Sequence, residues 1–447
     1  VSPNRRPQPD RARRLAFDAL RTVNSGGGYA NLVLRSLLDE RRLDTRDAAF
    51  ATELVAGTCR WQGSYDVVIS AAAGRPVQSW QPAVLDLLRL GTHQLLTMRI
   101  PPPAAVSTTV ELAAATVGPR VTGLINAVLR RVAERDLNGW LDSLTAGSDP
   151  RDALGLRTAH PRWIVDAYAE LLPAEELEPA LAANNLGPRI TLAVRPGQAN
   201  VAELVAAGAE ACRYSPFGVR FSGNPTELSA VREGRAGVQD EGSQLAAWAL
   251  TRPEAPAGWW LDLCAGPGGK AALLAGLGDA DGSRVLAADS KPHRAALVAG
   301  ALRGYSESFV VVADGTRPPW AASPFSRVLV DAPCTGLGAL RRRPEARWRR
   351  TESELHELHS LQVRLLNAAL DGVCSGGVAG YVTCSPHRRE TSDVVEEVVR
   401  DRPGIEVLEA AKVLPGVPTA NRGRYLQLWP HRHGTDAMFG AYLRRHR

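Results

Sequence analysis

Lysine is almost missing from this chain. Of its 53 basic residues only Lys270, Lys291 and Lys412 are lysine, a bias in keeping with a GC-rich genome. Cysteine is scarce too: the six thiols (Cys59, Cys212, Cys264, Cys334, Cys374 and Cys384) include no C-x-x-C pair. That excludes a disulfide framework and a zinc site, and reduced thiols are expected. No run of about 18 apolar residues occurs, and the opening "VSPNRRPQPDRARR" lacks the apolar stretch of a secretory signal. A cytoplasmic protein without membrane contact is therefore expected. With 45% hydrophobic and 22% charged residues the 447-residue chain has globular material for about two to four domains. The net charge of +6 hints at a polyanionic partner and justifies no more than that.

From about residue 10 to 137, apolar residues recur at helical spacing in "ARRLAFDALRTV", "YANLVLRSLLDE", "RDAAFATELVAGTCRWQ", "PAVLDLLRLGTHQLLTM", "AAVSTTVELAAATV" and "VTGLINAVLRRVAERD". Breaks at "NSGGG", "AAGRP" and "RIPPP" divide this stretch into about five to seven amphipathic helices. Residues 150–236 mix a helix-like "RWIVDAYAELLP" with short runs such as "PRITLAVRPG" and "YSPFGVRFSG", a pattern that suggests a small α+β module. Beyond 258, β-rich runs alternate with helical ones, the signature of a parallel sheet covered on both faces. The fold class expected is multidomain: an all-α bundle (1–140), a small α+β module (150–236) and an α/β Rossmann-like domain (237–447).

In an open α/β sheet, ligands lie beyond the carboxyl ends of the strands, where strand order reverses. The residues that close each expected strand form a series: Asp262 and Cys264, then Asp289, then Asp314, then Asp331 to Cys334, and finally Cys384. "CAGPGGK" (Cys264, Ala265, Gly266, Pro267, Gly268, Gly269, Lys270) joins a strand to a helix and lets backbone approach a ligand closely. It is no phosphate-binding P-loop, because the glycine and lysine spacing fails and Ala271 stands where a hydroxyl is needed. Asp289, about twenty residues on, is placed for ribose hydroxyls, and Asp314 for an adenine amino group. The G-x-G-x-x-G spacing for a pyrophosphate is absent, so S-adenosyl-L-methionine fits better than a dinucleotide. Each acid alone would read as a helix cap or turn residue; three at successive strand ends reverse that reading.

A thiol at a strand end is usually a small buried hydrophobe, the reading kept for Cys59, Cys212 and Cys374. Cys334 in "DAPCTG" and Cys384 in "YVTCSP" differ, each beside a proline where the sheet opens toward the cofactor. Methylation of carbon 5 of a pyrimidine calls for a thiolate: sulfur adding to carbon 6 makes carbon 5 nucleophilic. Asp331 is suited to protonate ring nitrogen 3 of a cytosine, and a second thiol could serve the release step.

These motifs, together with "VQDEGSQLAAWAL" and "HGTDAMFGAYLRR", resemble the RNA 5-methylcytosine methyltransferases, in particular the bacterial 16S rRNA cytosine-5 methyltransferases of the Sun/Fmu type. The segment bearing "GGGYANLVLRSLL", "DLLRLGTHQLL" and "INAVLRR" is similar to the NusB-like RNA-binding domain such enzymes carry, and the likeness spans nearly all of residues 10–447. The resemblance implies a class I methyltransferase fold, Cys384 as nucleophile and Cys334 as the residue that assists release. It places cofactor contacts on 264–270, Asp289, Asp314 and Asp331, and 16S rRNA as partner. DNA cytosine methyltransferases use the Pro-Cys thiol instead, with a Glu-Asn-Val motif that is missing here, so DNA is not expected. "TCSPHRRET" and Thr335–Gly338 depart from the family's commoner residues, which bears on substrate loops rather than on the chemistry.

"RRRPEARWRR" (341–350) follows the Pro-Cys loop. Arg341, Arg342, Arg343 and Arg347 are expected on RNA phosphates and Trp348 stacked on a base, against the alternative of a solvated charge-rich loop. His387 suggests a Cys-His hydrolase pair, disfavoured because no oxyanion loop accompanies it; His356 and His359 read as surface groups and no metal is expected. The same chemistry on transfer RNA, and a non-catalytic RNA-binding factor, are the competing functions. The sequence does not define the oligomeric state.

Overall fold

The computed structural model describes residues 10–98, 100–320 and 323–446. The chain forms two compact units: residues 1–185 with 340–350, and residues 186–339 with 351–447.

The first unit is helical. Its helices are α1 (Arg11–Gly26), α2 (Ala30–Arg41), α3 (Thr45–Ala73), α4 (Pro82–Leu96), α5 (Pro102–Thr116), α6 (Thr122–Val132), α7 (Leu137–Thr145), α8 (Pro150–Thr158), α9 (Arg162–Ala169) and α10 (Ala174–Ala183). Local signals set the ends. The Asp10 and Asp44 carboxylates accept from backbone N–H groups in the first turns of α1 and α3, and Gly27 and Gly74 close the same helices in the left-handed conformation. Apolar residues at i, i+3 and i+4, such as Ala51, Leu54, Val55 and Cys59 of α3, face one core. Inside it a polar network is fully paired: Arg89 grips Asp66 with two hydrogen bonds of 2.7 Å, and Arg21 holds Asp86 at 2.6 Å. The expected boundary near 140–150 is corrected. Helices α7 to α10 cluster with the bundle, where Ser64 of α3 donates to the Leu156 carbonyl at 2.7 Å, and strand structure begins only at Ile190.

The second unit holds two sheets. The smaller, antiparallel one runs β2-β3-β1-β4, built from β1 (Ile190–Val194), β2 (Glu210–Ala211), β3 (Gly218–Phe221) and β4 (Ala236–Val238), with α11 (Val201–Ala206) and α12 (Ser229–Arg232) beside it in sequence. Then come α13 (Glu241–Leu250), β5 (Trp259–Asp262), α14 (Gly269–Asp281), β6 (Val285–Asp289), α15 (Pro292–Leu302), β7 (Ser308–Val312) and β8 (Phe325–Asp331). A short turn, α16 (Ala346–Arg349), lies in the segment that joins the first unit. The chain resumes with α17 (Glu354–Gly372), β9 (Val373–Thr383), α18 (Ser392–Arg400), β10 (Ile405–Val407), α19 (Ala410–Val413), β11 (Asn421–Arg422), β12 (Tyr425–Gln427), α20 (Pro430–His433) and β13 (Phe439–Arg445).

The large sheet runs β11-β12-β13-β9-β8-β5-β6-β7, with β10 on β13. Strands β9, β8, β5, β6 and β7 are mutually parallel; β13 joins antiparallel, Phe439 opposite Thr383. Strands β5, β6, β8 and most of β9 are buried on both faces and read as unbroken apolar runs, whereas β7 at the sheet edge is partly exposed at Phe309 and Val312. In β8, Val328 and Val330 face a core that includes Leu365, Leu366 and Leu370 of α17, and Leu329 faces Leu245 of α13 and Leu274 of α14. Strand order reverses between β5 and β8, so the crevice beyond their carboxyl ends is the natural ligand position.

Candidate active site

Three of the five parallel strands end on an aspartate, β5 on Asp262, β6 on Asp289 and β8 on Asp331, and Asp314 lies two residues past β7. Asp289 is tied to the glycine loop. Its Oδ2 accepts from the Gly266 N–H at 3.0 Å, its Oδ1 from the Lys291 N–H at 2.9 Å, and Arg294 donates to the Gly266 carbonyl. A Cβ on Gly266 would lie 2.5 Å from the Asp289 carboxylate, so only glycine permits this approach. Asp314 is exposed; the N–H and hydroxyl of Thr316 bond its Oδ1 at 2.9 and 2.8 Å and hold its pKa below the ordinary value.

Lys270 reaches from the glycine loop to Asp331: its ammonium lies 2.8 Å from Asp331 Oδ2. Burial works against that charge, but Asp331, Cys384 and Asp262 outweigh it and raise the lysine pKa. Asp262 is fully buried, and neither carboxylate oxygen has a hydrogen-bond partner. Burial first, and repulsion from Asp331 second, push its pKa up to about 7. A buried carboxylate without a side-chain donor, beside a loop whose glycine admits no side chain, fits a ligand that brings cationic and donor groups, as S-adenosyl-L-methionine does with its ammonium and hydroxyls.

The two thiols meet. Cys334 Sγ and Cys384 Sγ are 3.5 Å apart. The hydrogen bond to Cys384, and then burial, hold the Cys334 thiol well above the ordinary value, and either sulfur can be the donor in the contact. Their loops interlock through Gly338, whose N–H donates to the Cys384 carbonyl at 2.8 Å and whose own carbonyl accepts from Ala437 at 2.9 Å. A Cβ on Gly338 would lie 2.0 Å from the Ala437 oxygen. Cys264 is a half-exposed thiol whose pKa desolvation raises, and His387 serves as a cap, its Nδ1 accepting from the Arg389 N–H at 3.1 Å. Of the other thiols, Cys59 is buried, whereas Cys212 and Cys374 are half-exposed.

The placement of the arginine segment is a correction. Residues 340–350 belong to the helical unit, and Arg347 is fully buried there. Its guanidinium donates to the Ala159 carbonyl at 2.9 Å, to Asn185 Oδ1 at 2.6 Å and to the Asn184 carbonyl at 3.2 Å. Ala159 and Asn184 cap the carboxyl ends of α8 and α10, so two helix dipoles face this cation. Trp348 Nε1 donates to the Cys59 and Arg60 carbonyls at 3.0 and 3.2 Å, and its ring occupies the space left by Gly63. Arg343 stacks on Tyr29 at 4.5 Å, and Arg341 is largely buried. Arg342 is the exposed member of the set expected on RNA. Arg347 is thus engaged by helix-end carbonyls and Trp348 by carbonyls within α3, where phosphates and a base were expected.

Three residues escaped the sequence reading in their roles: Lys270 as the partner of Asp331, Gly338 as the joint between loops, and Glu390, buried behind the thiols. Only the lone lysine of "GPGGK" and the acid inside "TCSPHRRET" signal them in the sequence.

A parallel sheet with this switch point, a glycine loop after its first strand and acids on the strands that follow defines a methyltransferase dependent on S-adenosyl-L-methionine. The chain belongs to the 16S rRNA methyltransferase RsmB/F family, whose model matches residues 249–444, and residues 10–134 match the NusB family. It is 50% identical over 452 residues to "Putative methyltransferase Rv1407" of Mycobacterium tuberculosis (strain ATCC 25618 / H37Rv), covering 99% of this chain and 98% of that one. It is 35% identical over 414 residues to the ribosomal RNA small subunit methyltransferase B of Pseudomonas putida (89% and 91% covered). The crystal structure of PH0851 shares the fold with a TM-score of 0.81, at 23% identity, over 97% of this chain and 98% of that one. No helix among the described residues is long and apolar enough to cross a membrane.

Proposed function

We propose that this RNA methyltransferase acts in the cytoplasm on carbon 5 of a cytosine in 16S rRNA, through a covalent bond between Cys384 and the ring. The observation that carries the reading is the 3.5 Å spacing of the two sulfurs beside the Lys270–Asp331 pair. S-adenosyl-L-methionine, held by the 264–270 loop, Asp262, Asp289 and Asp314, supplies an electrophilic methyl group. Cys384, facing Lys270 and accepting from Cys334, adds as a thiolate to carbon 6 of the cytosine. Ring nitrogen 3 takes the proton shared by Lys270 and Asp331, so the ring gains no net negative charge. Carbon 5 then bonds the methyl carbon as the bond to the sulfonium breaks. Loss of the carbon 5 proton to solvent and cleavage of the carbon 6–sulfur bond restore the ring, and the nitrogen 3 proton returns to the Lys270–Asp331 pair. The Cys334 thiol hydrogen bonds to the departing Cys384 sulfur and stabilises it as a thiolate. The names of relatives at 35% identity support the ribosomal target.

Bisulfite mapping of ribosomal and transfer RNA from cells with and without the protein tests the target. Loss of one 16S rRNA methylcytosine is expected; loss confined to transfer RNA would sink the ribosomal reading. Cys334→Ala should accumulate an SDS-resistant protein–RNA adduct that Cys384→Ala cannot form, and the reverse pattern would exchange the two roles.

A further inference from the structure

Behind the sulfur pair lies an acid that the proposed reaction does not use. Glu390, in the turn between β9 and α18, is fully buried. Its carboxylate accepts from the Thr335 N–H at 2.7 Å, from the Thr335 hydroxyl, from Gln362 Nε2 at 3.3 Å and from the Ser385 hydroxyl. Thr335 follows Cys334, and Ser385 follows Cys384. The hydroxyls of Thr335 and Ser385 lie 3.3 Å apart, so both loops converge on this one group. Gln362 of α17 completes the clasp by donating to the Pro333 carbonyl at 2.7 Å, and the Tyr381 hydroxyl fixes the Glu390 backbone by donating to its carbonyl at 2.8 Å.

We infer that Glu390 is a positioning residue: its buried carboxylate binds the residue after each cysteine and so fixes the two sulfurs at their working distance. The inference rests on the two-thiol chemistry proposed above. It has an electrostatic side as well. The charges that face Cys334 are Cys384, Glu390 and Asp331, all of which favour its protonated form, whereas Lys270 faces Cys384. Glu390 therefore adds to the field that favours the protonated form of Cys334. Burial raises the Glu390 pKa, and its donors oppose that shift.

The test uses the full-length protein with Glu390→Gln and Glu390→Ala. Glutamine keeps an oxygen for the Thr335 N–H and can donate to the Thr335 hydroxyl, but it removes the charge. Two readouts are taken: kcat and KM for methyl transfer to unmethylated 16S rRNA, and the pH dependence of iodoacetamide labelling of Cys334 and Cys384, resolved by peptide mass spectrometry without RNA. Glu390→Ala should lower kcat roughly hundredfold with little change in KM, the size expected when reacting groups are misplaced. Glu390→Gln should recover part of that loss and move the Cys334 labelling midpoint down by about one pH unit. Unchanged kcat together with an unchanged labelling profile in Glu390→Gln overturns the inference. Should the alanine variant fail to fold, Thr335→Val, which removes one hydroxyl and keeps the N–H, must lower kcat in the same way, and an unchanged kcat there also overturns it. The two readings fail separately. Cys384→Ala with full turnover, alongside shifted labelling in Glu390→Gln, defeats the proposed reaction and leaves the positioning role; inactive Cys384→Ala with silent Glu390 variants defeats only the positioning role.

Discussion

The two units treat a buried charge in opposite ways. In the helical unit Arg347 has no side-chain carboxylate among its hydrogen-bond acceptors, yet carbonyls at the ends of α8 and α10 surround it. Burial and the nearby Arg60 lower its pKa to about 9, which still leaves it charged at neutral pH. In the sheet unit Asp262 is as deeply buried, with no side-chain donor on its carboxylate and only the Cys264 backbone near it. The difference separates a charge that builds a fold from one that is held ready for a ligand. Removing the first should cost stability, and removing the second should cost binding and add stability.

The largest effect expected is on chemistry alone. Cys384→Ala should reduce methyl transfer by on the order of 10⁴-fold or more, with its melting temperature near that of the parent. Gly338→Ala tests the joint between the cysteine loops and, by forcing a carbon toward the Ala437 oxygen, should destabilise the sheet unit by about 3 kcal/mol in urea unfolding. Arg347→Met should strand the carbonyls of Ala159 and Asn184 and cost the helical unit about 2–3 kcal/mol, with affinity for S-adenosyl-L-methionine unchanged. Intact stability with weakened RNA binding would instead return Arg347 to the role expected from sequence. Asp262→Asn should weaken S-adenosyl-L-methionine binding in calorimetry by about tenfold while stabilising the ligand-free protein at pH 8 by on the order of 2 kcal/mol.

The smallest effect sharpens the contrast through pH. The raised pKa of Asp262, about 7 against an ordinary 3.8, means that the folded state binds more protons than the unfolded one between those values. Its contribution to stability is therefore lost as pH rises through that window. His160 behaves oppositely: burial, then repulsion from Arg347, lowers its pKa well below 6.5, so the unfolded state takes up more protons and stability falls as pH drops below about 6.5. Subtracting the unfolding free energies of Asp262→Asn and of His160→Gln from those of the parent across pH 4 to 8 should give slopes of opposite sign, each up to about 1.4 kcal/mol per pH unit.

The legibility of the sequence follows the same division. Strands β5, β6, β8 and β9 were readable because burial on both faces leaves unbroken apolar runs, β7 because its β-branched run "FVVV" stands out even at an exposed edge, and the closing acids and thiols because the ends of such strands define the crevice. The antiparallel strands β10 to β13 were not: three of them have only two or three residues, too few for a period to show. "HGTDAMFGAYLRR" stood out as a motif without revealing that it carries an interior antiparallel strand between β12 and β9. The arginine segment misled for a different reason. Arg347 and Ala159 are 188 positions apart, Arg349 and Gly27 322, and no local pattern announces that carbonyls so remote will surround a basic run. Glu390 was hidden likewise, since its partner Thr335 lies 55 residues earlier.

Residues 340–350 make the helical unit discontinuous in the gene. A catalytic half produced by deleting residues 1–185 would present Trp348 and Arg347 stripped of the carbonyls they bind, and a helical half ending at Asn185 would have the caps of α8 and α10 left open. Neither unit can be exchanged intact by recombination at a single point, so lineages that keep this segment inherit bundle and catalyst as one heritable piece.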